Sequence, residues 1–120
     1  ALKLIDLLQI GTAQADAFRK LTISNDGTLY PVGYSYGDLA GNNEDPANET
    51  GDVIVFAFDR NLNVTASRQF GSPHEDRGYI DVTAQGVIVA GMTEAALGNA
   101  SAGSFDAFVV RLDRNTLRVR

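Results

Sequence analysis

The sequence has few of the residues that usually carry covalent or metal chemistry. Its 120 residues include no cysteine, no tryptophan, one histidine and one methionine. Without cysteine there are no disulfides and no thiolate metal ligands, and a single histidine disfavours a zinc site. No apolar run reaches the roughly 18 residues that a membrane-spanning helix needs. Hydrophobic residues make up 44% of the chain and charged residues 21%, a balance typical of one globular domain.

Positive charge is also scarce. Ten Lys and Arg stand against fifteen Asp and Glu, which gives a formal net charge of −5. This balance opposes binding to nucleic acid or to an anionic membrane surface, so neither partner is expected, nor is insertion into a membrane. The sequence contains no phosphate-binding glycine loop and no recognisable serine nucleophile motif. We therefore assign no catalytic residue and no nucleotide cofactor.

The strongest pattern is an internal repeat. Three landmarks recur in the same order, 60 residues apart at the first and 54 residues apart at the third. The matched segments are residues 9–16 with 69–76, 27–33 with 86–91, and 52–61 with 106–115. Such a recurrence indicates a duplicated structural unit.

Each unit is predicted to consist of four antiparallel strands without a helix. Segments rich in β-branched and aromatic residues alternate with Asn, Asp and Gly turn signals. The predicted strands are 17–24, 29–34, 53–58 and 64–70 in the first unit, and 78–84, 87–92 and 107–112 in the second. Residues 2–10 and 117–120 are interpreted as further fourth strands. The third strands, 53–58 and 107–112, are almost wholly apolar, which predicts cover on both faces.

Pro31 falls within the second predicted strand, where it removes a hydrogen-bond donor from the ladder. The first unit also has one residue more than the second between its paired glycines. We therefore expect a β-bulge in this strand beside Pro31.

Four-stranded units repeated at this period are typical of β-propeller blades. The chain resembles the bacterial SBBP (β-propeller) repeat family at Phe70-Gly71-Ser72 and at residues 86–93 and 104–110. The first copy departs from that pattern at Pro31 and at residues 52–54. The resemblance implies a propeller fold in a bacterial protein that is extracellular or at the cell surface, and it implies no particular chemistry.

On this reading the fold is all-β, with two four-stranded antiparallel propeller-type blades. Residues 1–10 are the closing strand of a preceding blade, 11–70 the first blade, and 71–120 the second blade with an incomplete last strand. Propellers typically contain about 4–8 blades. We therefore expect either a longer propeller or a ring closed by self-association of two to four copies.

An acidic loop is the most unusual local feature. No Lys or Arg occurs between Lys20 and Arg60, and acids gather in the loop 37–52. Carboxylate and amide oxygens are the ligands that Ca²⁺ prefers, although the spacing matches no EF-hand. The candidate metal ligands are Asp38, Glu44, Asp45 and Glu49; the alternative is a solvated loop that keeps the protein soluble.

Other candidate site residues are interpreted as structural. Three pairs of aspartates occupy matched places in the two units, namely Asp16 and Asp76, Asp52 and Asp106, and Asp59 and Asp113. A role present in both units favours backbone capping over catalysis. His74, the single histidine, is interpreted as a residue of a surface loop.

The leading functional hypothesis is a non-enzymatic structural or interaction module that packs against neighbouring blades or copies of itself. The alternative is a calcium- or carbohydrate-binding module that uses the acidic loop with Tyr30, Tyr34 and Tyr36. A further alternative is part of a hydrolase or lyase on a propeller scaffold, whose site further blades would complete. A protein or a glycan is the expected external partner.

Overall fold

The chain folds into two antiparallel β-sheets. The structure, a computed structural model, describes residues 2–40, 51–70, 76–83, 86–93 and 105–119, with the backbone alone for 76–83. The first sheet contains β1 (Asp16–Ile23), β2 (Leu29–Ser35), β3 (Asp52–Phe58) and β4 (Val64–Phe70). The second sheet contains β5 (Asp76–Thr83), β6 (Gly86–Thr93) and β7 (Asp106–Leu112).

Strand order follows chain order in both sheets. The first sheet runs β1-β2-β3-β4 and the second runs β5-β6-β7, and each strand is antiparallel to its neighbours. These seven strands lie where the sequence predicts them, with ends that differ by one or two residues. The all-β class is therefore confirmed. Among the described residues no helix is long and apolar enough to cross a lipid bilayer.

The two sheets pack together through one apolar layer, and we call the face of each sheet in this layer its inner face. The first sheet supplies buried side chains from β2 and β3, and the second supplies them from β6, β7 and the segment that follows β7. The buried members are Tyr30, Val32, Val53, Val55, Ala57, Val87, Val89, Leu112 and Leu117. Phe70 and Phe108 add an edge-to-face ring pair across the sheets, with centroids 6.0 Å apart.

A second apolar cluster covers the outer face of the first sheet. Ile54, Phe56 and Phe58 alternate with the inner-face residues of β3, as the two-residue period of a strand requires. The ring of Phe18 meets those of Phe56 and Phe58 edge-to-face at 5.5 and 6.3 Å. Ile10, from the chain before β1, packs against the same cluster.

The third strands of the two units differ in cover. Every residue of β3 is buried, as its apolar run predicts. In β7 burial alternates, and Val109 is 73% exposed whereas its repeat counterpart Val55 is fully buried. The expectation of cover on both faces is therefore wrong for β7. Its inner face meets the first sheet, and its outer face has no layer upon it among the described residues.

The β-bulge lies in β1, opposite the strand in which it was expected. The register between β1 and β2 shifts between Phe18 and Lys20, so that Arg19 is the extra residue. Pro31 sits in β2 and pairs with Leu21. The prediction is therefore right that a bulge lies beside Pro31, but wrong about the strand that carries it. A bulge in the neighbouring strand absorbs the unequal length of the paired segments.

The expected strand at residues 2–10 does not form in this chain. These residues have no regular structure and residues 2–9 are exposed; within the described part of the chain they pair with no strand. At the other end, the expected strand at 117–120 is reduced to a single bridge between Leu112 and Val119. Leu117 is nevertheless buried, with a positive φ of 56° that turns the chain back onto the core.

Gly33 allows β2 to approach the bulge closely. A Cβ atom built at this position would lie 1.8 Å from the carbonyl oxygen of Ala17 and 2.7 Å from the Cα of Phe18. Both obstacles are backbone atoms, so a side chain here must separate the two strands.

We therefore expect Gly33→Ala to lower the free energy of unfolding by about 3 kcal/mol, the upper end of the cost of overpacking. Urea unfolding followed by circular dichroism measures this loss. Gly11→Ala is the matched control, because its added methyl would lie 3.4 Å from its nearest neighbour, a carboxylate oxygen of Asp16. Equal stability of the two variants would contradict the prediction.

Candidate functional site

A row of polar residues crosses one end of the first sheet. Asp16 pairs with Ser35 in the ladder between β1 and β2, and Ser35 pairs with Asp52 in the ladder between β2 and β3. The second sheet repeats the row, with Thr93 paired to both Asp76 and Asp106. Two of the three duplicated pairs, Asp16 with Asp76 and Asp52 with Asp106, thus lie at the same end of their sheets, next to the connections between the second and third strands.

Asp16 holds the chain that leads into β1. Its Oδ2 accepts hydrogen bonds from the Thr12 amide at 2.6 Å and from the Thr12 hydroxyl at 2.9 Å. Its Oδ1 accepts a hydrogen bond from the Ser35 hydroxyl. The predicted capping role is therefore confirmed for Asp16, because both carboxylate oxygens are used within the fold. The side chain of Asp76 lies outside the described residues.

Gln69 fixes the base of the acidic loop. This side chain is fully buried at the end of β4. Its Oε1 accepts hydrogen bonds from the amides of Leu39 and Ala40, each at 3.0 Å. Its Nε2 donates to the carbonyl oxygen of Gly37 at 2.9 Å and, more weakly, to Oδ2 of Asp52 at 3.4 Å. A single amide group thereby satisfies three backbone groups that would otherwise be buried at a cost.

The predicted metal ligands are only partly within the described structure. Asp38 is exposed at the start of the acidic loop. Glu44, Asp45 and Glu49 lie outside the described residues, and so does His74. Within the described ranges no three His, Cys, Asp or Glu residues come close enough to hold a metal ion.

The tyrosines divide into two groups. Tyr34 and Tyr36 stand together near the acidic loop, with ring centroids 5.6 Å apart and planes at 80°. The guanidinium carbon of Arg19, the bulge residue, lies 5.3 Å from the centre of the Tyr34 ring. Tyr30 belongs to the core, where its hydroxyl donates to the carbonyl oxygen of Arg114 at 3.0 Å. Only Tyr34 and Tyr36 are therefore placed to accompany a loop ligand.

The third matched pair, Asp59 and Asp113, forms turns, as predicted. Asp59 accepts hydrogen bonds from the amides of Asn61 and Asn63, at 2.9 and 3.0 Å. Asp113 does the same for the amides of Asn115 and Thr116, at 2.8 and 3.0 Å. The Asn63 amide, ahead of the Asn63 side chain, lowers the pKa of Asp59 below its ordinary value.

Asp26 forms an equivalent turn between β1 and β2. Hydrogen bonds from the Ser24 hydroxyl and then from the Thr28 amide lower the pKa of Asp26 from 3.8 to about 2. These shifted carboxyl groups are explained by local turn geometry, because hydrogen bonds to the charged form favour ionisation. They are therefore ionised near neutral pH and cannot donate a proton there.

Two residues of the site were missed by the sequence interpretation. Ser35 and Gln69 were not assigned roles. Gln69 nevertheless has a repeat counterpart in Gln9, because each of these glutamines is followed by an apolar residue and a glycine. That repeat was a usable signal for Gln69. Ser35 and Thr93 each lie two residues after the glycine that ends the second matched segment, so the repeat was a usable signal for Ser35 as well.

Comparison with known proteins leaves the resemblance to SBBP repeats as a prediction. The chain matches no protein-family model, and no curated protein matches it.

The hydrogen bonds of Gln69 predict that Gln69→Leu will loosen the start of the acidic loop. We expect hydrogen exchange at the Leu39 and Ala40 amides to become at least about tenfold faster, since losing one hydrogen bond costs on the order of 1 kcal/mol and two are lost. Exchange measured by NMR on the full chain tests this. Gln14→Leu, at an exposed position before β1, is the matched control and should leave both amides unchanged. Unchanged exchange in Gln69→Leu would show that the loop base is held by other contacts.

Proposed function

We propose that the chain is a non-enzymatic structural and interaction module of an extracellular or cell-surface β-propeller repeat protein. Its sheets act as rigid blades, and its acidic loop 37–52 is presented to a protein or glycan partner. The observation that carries this proposal is the buried side chain of Gln69, which ties the start of that loop to the edge of the first sheet.

The proposal is supported by how the polar groups of the sheet ends are used. Asp16 accepts a hydrogen bond from Ser35 of the neighbouring strand and another from the Thr12 backbone, and Gln69 bonds to the backbone at the start of the loop. Groups engaged in this way stiffen the scaffold from which a loop projects. Binding through a loop on a rigid base costs less ordering entropy than binding through a free segment.

The blade assignment is supported by the strand arrangement. The first sheet is a four-stranded antiparallel meander, the unit from which propellers are built. The second sheet repeats three of those strands and packs its inner face on the first. Stacked sheets of this kind bury apolar layers between neighbours, which is the architecture of a repeat protein.

Surface display predicts that antibodies raised against residues 37–52 will label intact cells that produce the protein. The control is an antibody against residues 53–58, which lie in the fully buried β3 and should be recognised only after denaturation. Loop labelling that appears only after the cells are permeabilised would contradict an extracellular or cell-surface location. Loop labelling that appears only after denaturation would contradict display of the loop.

Calcium or carbohydrate binding by the same loop is the second candidate. It is favoured by the exposed Asp38 at the loop entrance and by the adjacent Tyr34 and Tyr36 rings. Carboxylates supply the oxygen ligands of Ca²⁺, and aromatic rings stack on sugar faces.

Calcium binding predicts saturable heat when the full chain is titrated with CaCl₂, with an affinity of about 0.1–1 mM as in extracellular modules. The heat should vanish when Asp38→Asn, Glu44→Gln, Asp45→Asn and Glu49→Gln are combined. Asp6→Asn removes one carboxylate outside the loop and should change nothing. Absence of saturable heat in the unaltered chain would eliminate the calcium form of this candidate.

A further inference from the structure

The second sheet has a strand edge that the first sheet does not have. In the first sheet β4 lies along β3 and pairs with it from Val53 to Phe58. In the second sheet the equivalent edge of β7 is met, in the described part of the chain, only by the bridge from Val119 to Leu112. No strand of the described residues lies along residues 107–111, so the amide and carbonyl groups of this edge suit an added strand.

Residues 4–10 are the sequence counterpart of β4. They come directly before the first copy of the repeat, just as β4 comes directly before the second copy. Gln9 and Ile10 align with Gln69 and Phe70. These residues form no strand in the structure, and four of their apolar side chains are exposed. The exposed fractions are 79% for Leu4, 95% for Ile5, 68% for Leu7 and 47% for Leu8.

The register of β3 with β4 supplies a template for joining them. Val53 pairs with Phe70, Val55 with Arg68 and Ala57 with Ala66. The repeat carries these pairs over, in the same order, to Ala107 with Ile10, Val109 with Leu8, and Arg111 with Asp6. The last pair brings opposite charges together across the strands, and the middle pair joins two exposed apolar side chains.

The exposed faces of the two sheets also suit a contact between two chains that repeats the packing between the sheets of one chain. The inner face of the first sheet carries Val53 and Val55, whose counterparts Ala107 and Val109 lie on the outer face of the second. Repeating the internal packing therefore lays the outer face of a second sheet on the outer face of another copy's first sheet. Both faces expose apolar groups: Met92, Phe105 and Val109 on the former, and Phe18, Leu21 and Ile23 on the latter.

Ile10 already occupies its place in this packing. Within the chain, Phe70 at the end of β4 packs on Phe108 of the next sheet. The counterparts of these two residues are Ile10 and Ile54, and Ile10 packs on the cluster that contains Ile54. A cleft of about 210 Å³ beside them is lined by Leu8, Gln9 and Phe18 among others.

We propose that the partner of this module is a second copy of the same chain, bound head to tail by strand addition. Residues 6–10 of one copy become the fourth strand of the second sheet of the other, along residues 107–111 of β7. The proposal rests on the proposed structural role and names its partner. The charge pair of Asp6 with Arg111 sets the register, and Leu8 with Val109 and the two outer faces supply the buried apolar area.

Charge reversal tests this pairing through the mass in solution. Light scattering coupled to size exclusion should show the unaltered chain rising above 12.8 kDa as its concentration increases from micromolar to millimolar. Asp6→Arg and Arg111→Asp should each remain at the monomer mass, because like charges then face each other at both contacts. An equimolar mixture of the two variants should associate as the unaltered chain does, because every contact between unlike variants regains opposite charges.

Lys20→Asp is the matched control for charge reversal on an exposed strand residue. Lys20 pairs with Val32 of the core layer, so it faces away from the proposed contact, and this variant should associate normally. Recovery in the mixture also shows that both variants are folded. An unaltered chain that stays monomeric, single variants that associate normally, or a mixture that does not recover would each overturn the proposal.

The absence of cysteine allows the register to be read directly. A chain with Leu8→Cys mixed with a chain carrying Val109→Cys should form an interchain disulfide under mild oxidation, because these positions are paired. Leu7→Cys should not link to Val109→Cys, because successive side chains of a strand point to opposite faces. Equal yields from both mixtures would overturn the proposed register. Cell-surface labelling of loop 37–52 is independent of these contacts, so failure of either proposal can be recognised separately.

Discussion

The apolar layer between the two sheets is the interaction on which the rest of the structure depends. Val53 and Val55 from the first sheet meet Val87, Val89 and Leu112 from the second, and all five side chains are fully buried. Burying a side chain of this size contributes roughly 1.5–3 kcal/mol. Neither sheet alone has a partner for this face, so each repeat needs the other. The layer also orients the polar ends of both sheets, from which the connections between the second and third strands emerge.

Much of the fold could be predicted because it follows from local patterns. The apolar run of β3 and the Asp-Arg-Asn turns that follow β3 and β7 each indicate their structure within a few residues. The duplication added the pairing of strands, since two copies of one pattern constrain each other. What could not be predicted depends on neighbours. On the outer face of β7, Ala107 and Val109 are apolar yet exposed, and residues 2–10 have a strand pattern but pair with no strand in the described part of the chain.

The candidate site was harder to predict than the fold. The acidic loop attracted attention through its charge, yet the residue that organises its base is an uncharged glutamine 17 positions beyond Asp52. Gln69 is brought to Gly37, Leu39 and Ala40 by the pairing of β3 with β4, which composition does not reveal. The position of the bulge at Arg19 likewise depends on strand pairing. Its position follows from how two strands accommodate unequal lengths, and only the register discloses which strand bends.

The two polar rows have a further consequence for how such a chain can change. Ser35 faces Asp52 across a connection formed by residues 36–51, and Thr93 faces Asp106 across a shorter one formed by residues 94–105. The same register is kept at both lengths, so the sheet is insensitive to how many residues lie between these strands. Closing a loop twice as long costs only about 0.6 kcal/mol. Insertions and substitutions can therefore accumulate at this end of each repeat, and its surface can diverge in evolution while the strands beneath it stay the same.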